Sequence, residues 1–216
     1  MKDFTPQPQG LNSSLPPTSA WLPLGMGVAL VSPLLWISPA IAHHIADLQQ
    51  MQPSFGNGLL SGMAHPLLGP DHALFLLALC LVALQRRWAW ALGLLLVGLL
   101  GGAAGLAWPD LPGAEALVAA TLVVEALVLL RWLSGVFLLP AMALHGYVLS
   151  GPVFGWTNMP LLAYGAGLLI SQASLLFIAL GLLRPIASRL SLKGRAWLAL
   201  ALAGCGVTWA FSAWAS

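Results

Sequence analysis

Apolar residues fall into runs at about 56–84, 88–108, 114–131, 133–150, 160–183 and 194–214. Each run approaches the roughly 20 residues that cross a bilayer as a helix. Short turn-forming segments separate them: Gln85-Arg86-Arg87, Pro109-Asp110-Leu111-Pro112-Gly113, Ser134-Gly135 and Pro152 to Pro160. Inside lipid every backbone N–H and C=O must be satisfied within the protein, so consecutive apolar runs predict helices. The pattern therefore predicts an all-α polytopic membrane bundle of six transmembrane helices over residues 43–216. It shows no soluble domain between the runs and no internal repeat.

The chain ahead of these runs reads differently. Residues 1–19 are rich in Pro, Ser, Gln and Thr, a composition that cannot bury a core and predicts disorder. Trp21 to Ile37 is apolar but interrupted by Pro23 and Pro33, and Ala40-Ile41-Ala42 then precedes His43-His44. Small residues at that spacing fit a signal-peptidase site, so residues 1–42 are expected to be a disordered leader plus signal peptide, cleaved before His43. A retained first helix is the alternative.

Composition and charge sharpen the membrane reading. Charged residues make up only 6% of the chain, against about 25% in soluble domains, which is too few to cover a water-facing surface. The 10 Trp suit anchoring at headgroup level. A net charge of +2, without basic runs interleaved with aromatics, argues against a nucleic-acid partner. Cys80 and Cys205 lie far apart in apolar runs and read as core packing rather than a disulfide or thiolate site. If the helices alternate from an outer mature N-terminus, Arg86, Arg87, Arg131, Arg184, Arg189, Lys193 and Arg195 all fall on the cytoplasmic side. The outer loops near Asp110 and Asn158 then carry no Lys or Arg. This sorting obeys the positive-inside rule and predicts an integral protein of a bacterial inner or internal membrane, with the C-terminus outside.

Few polar residues remain within the spans. The first span contains His65-Pro66-Leu67-Leu68-Gly69-Pro70-Asp71-His72. An ionised Asp at the centre of a membrane helix costs about 2.5–3.5 kcal/mol, so such a group needs a partner, water or an ion. In a straight helix His65 and His72 would share a face but stand about 10.5 Å apart along the axis. Pro66 and Pro70 oppose a regular helix. Gly69 suits an N-cap and Pro70 the first position of a new half-helix, with Asp71 near the positive end of its dipole. A helix broken near Leu67–Pro70 would fold His65 back towards Asp71 and His72 into one pocket, and discontinuous membrane helices lining ion sites are a known transport device.

Other polar residues add to the list. His145 lies beside Gly146, which permits close helix approach. Glu115 stands at the start of the third span, where capping is an equal reading. Glu125 lies ten residues deeper and suits pairing or proton carriage. Ser171-Gln172 reads as an interhelical hydrogen-bonding pair. His43-His44, next to a free amine, suits metal capture at a mature N-terminus.

The run from His65 to His72 resembles the signature of the HupE/UreJ family: His-Pro, two residues, Gly, one residue, Asp-His. The likeness extends to leader processing just before a His cluster and to Leu111-Pro112-Gly113-Ala114-Glu115. It also takes in His145-Gly146 and Tyr164-Gly165-Ala166-Gly167, and so covers about residues 40–185. It implies a small membrane protein associated with nickel supply to hydrogenase and urease, in some members a nickel or cobalt permease. By the same likeness His65, Asp71, His72 and His145 are the metal-handling residues, followed by Glu115; His43, His44 and Glu125 are weaker candidates on their own positions. The chain departs from the family pattern at Tyr147-Val148-Leu149-Ser150 and from Ser171-Gln172 to Leu176, where further His are usual, and at Pro70, where an aliphatic residue is usual.

The expected function is a divalent transition-metal transporter, Ni²⁺ favoured and Co²⁺ next, moving metal into the cytoplasm. Imidazole and carboxylate donors suit borderline metals, and few thiols argue against Cu(I). The metal is cargo, and no prosthetic group is expected. Its partners would be the bilayer and a cytoplasmic metallochaperone or larger membrane complex. Two other readings compete. The missing histidines favour a non-transporting membrane subunit or assembly factor. A membrane zinc-dependent hydrolase would need Glu125 as its base.

Overall fold

The computed structural model describes residues 52–82 and 88–215. Among these residues there are helices and turns and no strand. The helices are α1 (Phe55–Leu68), α2 (Pro70–Val82), α3 (Trp88–Ala107), α4 (Ala114–Leu129), α5 (Leu138–Val148), α6 (Asn158–Ile178), α7 (Arg184–Ser188) and α8 (Leu192–Ala215). The predicted leader and cleavage site, His43, His44 and the Gln85-Arg86-Arg87 turn lie outside the described residues.

The first apolar run is two helices, as its prolines predict. Ser54 opens α1 by accepting from the Asn57 N–H at 3.1 Å. α1 tolerates Pro66 within it and stops at Gly69, whose backbone is extended (φ −77°, ψ 108°). Pro70 then starts α2 at the position where its missing N–H has no cost. Among the described residues four stretches are long and apolar enough to cross a bilayer: Ala89–Ala107, Gly135–Val153, Asn158–Leu183 and Leu192–Ala215. The broken α1–α2 pair and the 16-residue α4 complete the bundle, an arrangement compatible with six spans.

α4 is bounded by backbone that leaves the right-handed region. Gly113 before it has φ 72° and Arg131 after it has φ 63°. At its C-terminal end Trp132 N–H donates to Leu127 C=O at 2.9 Å and Arg131 N–H to Val128 C=O at 3.0 Å. These two bonds form a Schellman motif, with Arg131 at the left-handed position that usually holds glycine. At the end of α6, a π-helical turn over Ala179–Leu183 precedes Pro185, which has no N–H to continue the regular ladder.

The helices pair as α1 with α6, α3 with α5 and α4 with α8. Two of these pairs depend on missing side chains. A Cβ on Gly101 would lie 2.0 Å from the Ala143 carbonyl oxygen, and one on Gly62 would lie 2.1 Å from that of Tyr164. Small residues let membrane helices approach this closely. The core is built from Phe75, Leu79, Leu122, Met142, Cys205 and Trp209. Cys205 is a buried free thiol, as expected for a packing residue; for Cys80 only the backbone is described. Leu92, Leu96 and Leu100 form an exposed stripe along α3, and Trp108, Trp132 and Trp214 project outward. Such a surface suits lipid.

Gly101→Ala is expected to destabilise the bundle by about 1–3 kcal/mol through overpacking. Gly93→Ala in the same helix meets nothing within 4 Å and should be neutral. Thermal unfolding of the two purified variants in detergent checks the difference.

Candidate metal-binding site

The helix break sets the site. Asp71 and His72 occupy the first turn of α2, immediately after the extended Gly69, while His65 lies one turn before the end of α1. The break has no room for a side chain, because a Cβ on Gly69 would lie 2.5 Å from His72 Cδ2. His65 and His72 ring centroids stand 6.1 Å apart, and His72 and His145 centroids 4.9 Å apart. Asp71, His72 and Glu125 are 0% exposed, His145 2% and His65 5%. Three imidazoles from α1, α2 and α5 thus form one buried row.

Hydrogen bonds assign the ring tautomers. Thr121 Oγ1 donates to the Val118 carbonyl at 2.6 Å and therefore accepts from His145 Nε2–H at 2.8 Å. With that nitrogen protonated, a neutral His145 carries its lone pair on Nδ1. That lone pair accepts from His72 Nδ1–H at 2.7 Å, which leaves the His72 lone pair on Nε2. Tyr164 repeats the device on the other ring. Its hydroxyl donates to the Leu149 carbonyl and accepts from His65 Nδ1–H at 2.9 Å. Each ring is held by a partner on another helix, the arrangement that fixes ligand orientation in metal sites. Phe75 stacks on the His145 ring at 4.0 Å and closes one side.

The carboxylates stand in separate places. Asp71 Oδ1 accepts the His72 backbone N–H at 2.9 Å, so Asp71 caps the half-helix with one oxygen. Its Oδ2 is buried with no hydrogen-bond partner among the described residues. Both Glu125 oxygens are likewise buried without one. Glu125 lies one turn beyond Thr121, about 6 Å along α4 and on nearly the same face. Glu115, in the first turn of α4, is about 9 Å from Thr121 in the other direction and about 120° round the helix. It is not on the face that meets His145.

The single pocket expected from sequence is instead an extended row. Among the described residues no three His, Cys, Asp or Glu side chains are grouped so as to hold one metal ion. Two imidazoles on one ion, bound at about 2.0–2.1 Å, place their centroids roughly 5–6.5 Å apart. Each neighbouring pair in the row is at or close to that spacing. Ser171 and Gln172, expected to hydrogen-bond between helices, are buried, but Ser171 Oγ and Gln172 Oε1 have no partner among the described residues. α6 buries their backbone against its neighbours without bringing a donor to either oxygen.

Thr121 and Tyr164 were not among the site residues inferred from sequence. Tyr164 carries a signal, since the chain has only 2 Tyr, and a phenol within an apolar run needs a polar partner. Thr121 is an isolated hydroxyl in an apolar run, and its role becomes visible only once α4 is laid against α5.

These features define an integral, polytopic helical membrane protein with imidazoles gathered at a discontinuous helix. Over residues 30–210 the sequence matches the family model described as HupE / UreJ protein, and the chain belongs to that family. The family is associated with nickel or cobalt uptake and with urease or hydrogenase maturation. No curated protein and no solved structure matches the chain.

Tyr164→Phe removes the hydroxyl that joins His65 to the Leu149 carbonyl. It is expected to cost about 1–3 kcal/mol, the usual penalty for orphaning a buried polar group. Chemical or thermal unfolding of the purified variant measures this, and a change below about 0.3 kcal/mol would contradict the assigned bond.

Proposed function

We propose that this protein carries a divalent transition-metal ion, Ni²⁺ in first place and Co²⁺ next, across a bacterial inner or internal membrane into the cytoplasm. The observation that supports this reading best is the buried row His65–His72–His145 at the broken helix, with its rings oriented by Tyr164 and Thr121. Borderline divalent ions favour imidazole, and carboxylate donors from Asp71 and Glu125 suit the same ions. A row of neighbouring pairs holds an ion with few ligands at a time. It therefore binds weakly enough to release, as transport requires.

The ion enters from the end of α4 that carries Glu115 and first meets His65, Asp71 and His72. It then enters between His72 and His145 as the His72 proton passes from Nδ1 to Nε2, which leaves both Nδ1 lone pairs facing the ion. Two nitrogens on one tetrahedral ion stand about 3.3 Å apart. The two Nδ1 atoms are 2.7 Å apart, so a small opening admits the ion. Glu125, one turn further along α4, is the next donor on the inward side. A cytoplasmic metallochaperone or a larger membrane complex receives the ion there.

Metal accumulation in cells expressing the full chain tests this reading. His72→Ala and His145→Ala should each reduce Ni²⁺ accumulation at least about tenfold, as expected for loss of a ligand or of the group that orients it. Unchanged accumulation in both variants would sink the assignment, and no accumulation by the wild type would favour the non-transporting subunit. Protons compete with metal for neutral imidazole. Uptake should therefore fall once the pH is low enough to protonate the row. Glu125→Gln should leave binding at the imidazoles intact while slowing uptake. Equilibrium binding of Ni²⁺ to the purified variant beside its uptake rate in cells separates the two effects.

A further inference from the structure

A second constellation lies at the other end of the bundle, away from the imidazoles. The C-terminal ends of α2 and α4, the turn between α4 and α5, the segment α7 and the start of α8 surround an open cavity of about 440 Å³. Its lining includes Arg131, Arg184 and Arg195, each from a different element, together with Ser188 and apolar residues such as Leu81 and Leu133. No acidic residue lines it among the described residues. The described acids lie elsewhere: Asp71 and Glu125 in the interior, Asp110 and Glu115 at the opposite end of α4.

Several independent features indicate that these charges converge on a ligand rather than merely facing water. Arg195 Nε is buried and has no hydrogen-bond partner among the described residues. Burying a guanidinium nitrogen unpaired is unfavourable. Arg195 also sits in the first turn of α8, near the positive end of the helix dipole, which favours an anion. Arg131 occupies the left-handed position of the Schellman motif, with φ 63°, where glycine would be relaxed. A long cation held there against backbone preference points to a use for its charge.

We infer that this cavity binds a phosphate group, supplied by the headgroup of an anionic phospholipid. The guanidinium fork matches phosphate oxygens in bidentate fashion. Basic pockets between membrane helices on the cytoplasmic side hold lipid headgroups in this way. The surface beside the cavity favours a lipid over a free ion. Trp132, Leu182 and Leu192, each within three residues of a lining arginine, are exposed at 74%, 66% and 85%, and acyl chains would cover them. The inference is independent of metal transport, because none of these residues belongs to the imidazole row.

The test uses the purified full-length protein in a neutral detergent, with lipid binding read by native mass spectrometry. The probes are phosphatidylglycerol, phosphatidylcholine and inorganic phosphate. Wild type should bind phosphatidylglycerol at least about tenfold more tightly than the Arg131→Gly, Arg184→Gln double variant. Arg131→Gly relieves the left-handed backbone and Arg184 is exposed, so the double variant keeps its fold. The Arg189→Gln, Lys193→Gln double variant removes the same charge from residues outside the cavity and should bind like wild type. Equal weakening in both double variants would show a diffuse surface charge and overturn the site. Equal binding of phosphatidylglycerol and phosphatidylcholine by wild type would overturn the anionic selectivity. Inorganic phosphate that binds in the millimolar range and displaces the lipid would keep the phosphate site but overturn the lipid as its source. Binding of neither probe overturns the proposal.

Discussion

At membrane depth a polar group has no water to turn to, so each must be satisfied by the protein or by what the protein carries. The break at Gly69 follows from this constraint and controls everything around it. Ending α1 there exposes backbone groups and places Asp71 at the start of a new helix, where one oxygen caps the His72 N–H. The same break turns two residues seven apart in sequence into neighbours with ring centroids 6.1 Å apart. An unbroken helix would have left them two turns apart. Proline alone would not have sufficed, since α1 runs through Pro66. The extended backbone at Gly69, followed by Pro70, produces the break.

Close packing converts the break into a site. His145 reaches His72 because α5 lies almost against α3, with Gly146 facing the Gly98 carbonyl so closely that a Cβ would stand 1.8 Å from it. α6 approaches α1 by the same means, and Tyr164 on α6 then reaches His65. The glycines therefore act on the imidazoles indirectly. They set the distances between helices, the hydrogen bonds across those distances set the tautomers, and the tautomers decide which nitrogen carries each lone pair. Widening any interface would lengthen a bond in this chain.

Much of this was legible in the sequence, for physical reasons that differ by residue. The six-run pattern gave the helical class, because lipid permits few alternatives. The break was legible because Gly69 and Pro70 have strong, local backbone preferences. His65, Asp71, His72 and His145 stood out because polar residues in apolar runs are expensive. What the sequence did not reveal is set by tertiary distance. Thr121 and Tyr164 matter through the helices they touch. Glu115 looked like a partner of the histidines, but its place round α4 turns it from the face that meets His145. Arg131, Arg184 and Arg195 sorted correctly to one end by charge. Their convergence on one cavity required the three-dimensional arrangement of five elements.

The two ends of the bundle make opposite electrostatic demands. The imidazole row and the buried carboxylates favour a positive ion, whereas three guanidinium groups surround the cavity at the far end. Positive residues gathered at one end are the pattern the positive-inside rule expects of a cytoplasmic end. Left bare, they would repel any cation that approaches that end, and they would also repel one another. A phosphate seated among them would cancel part of that charge locally while leaving the topological signal in the sequence.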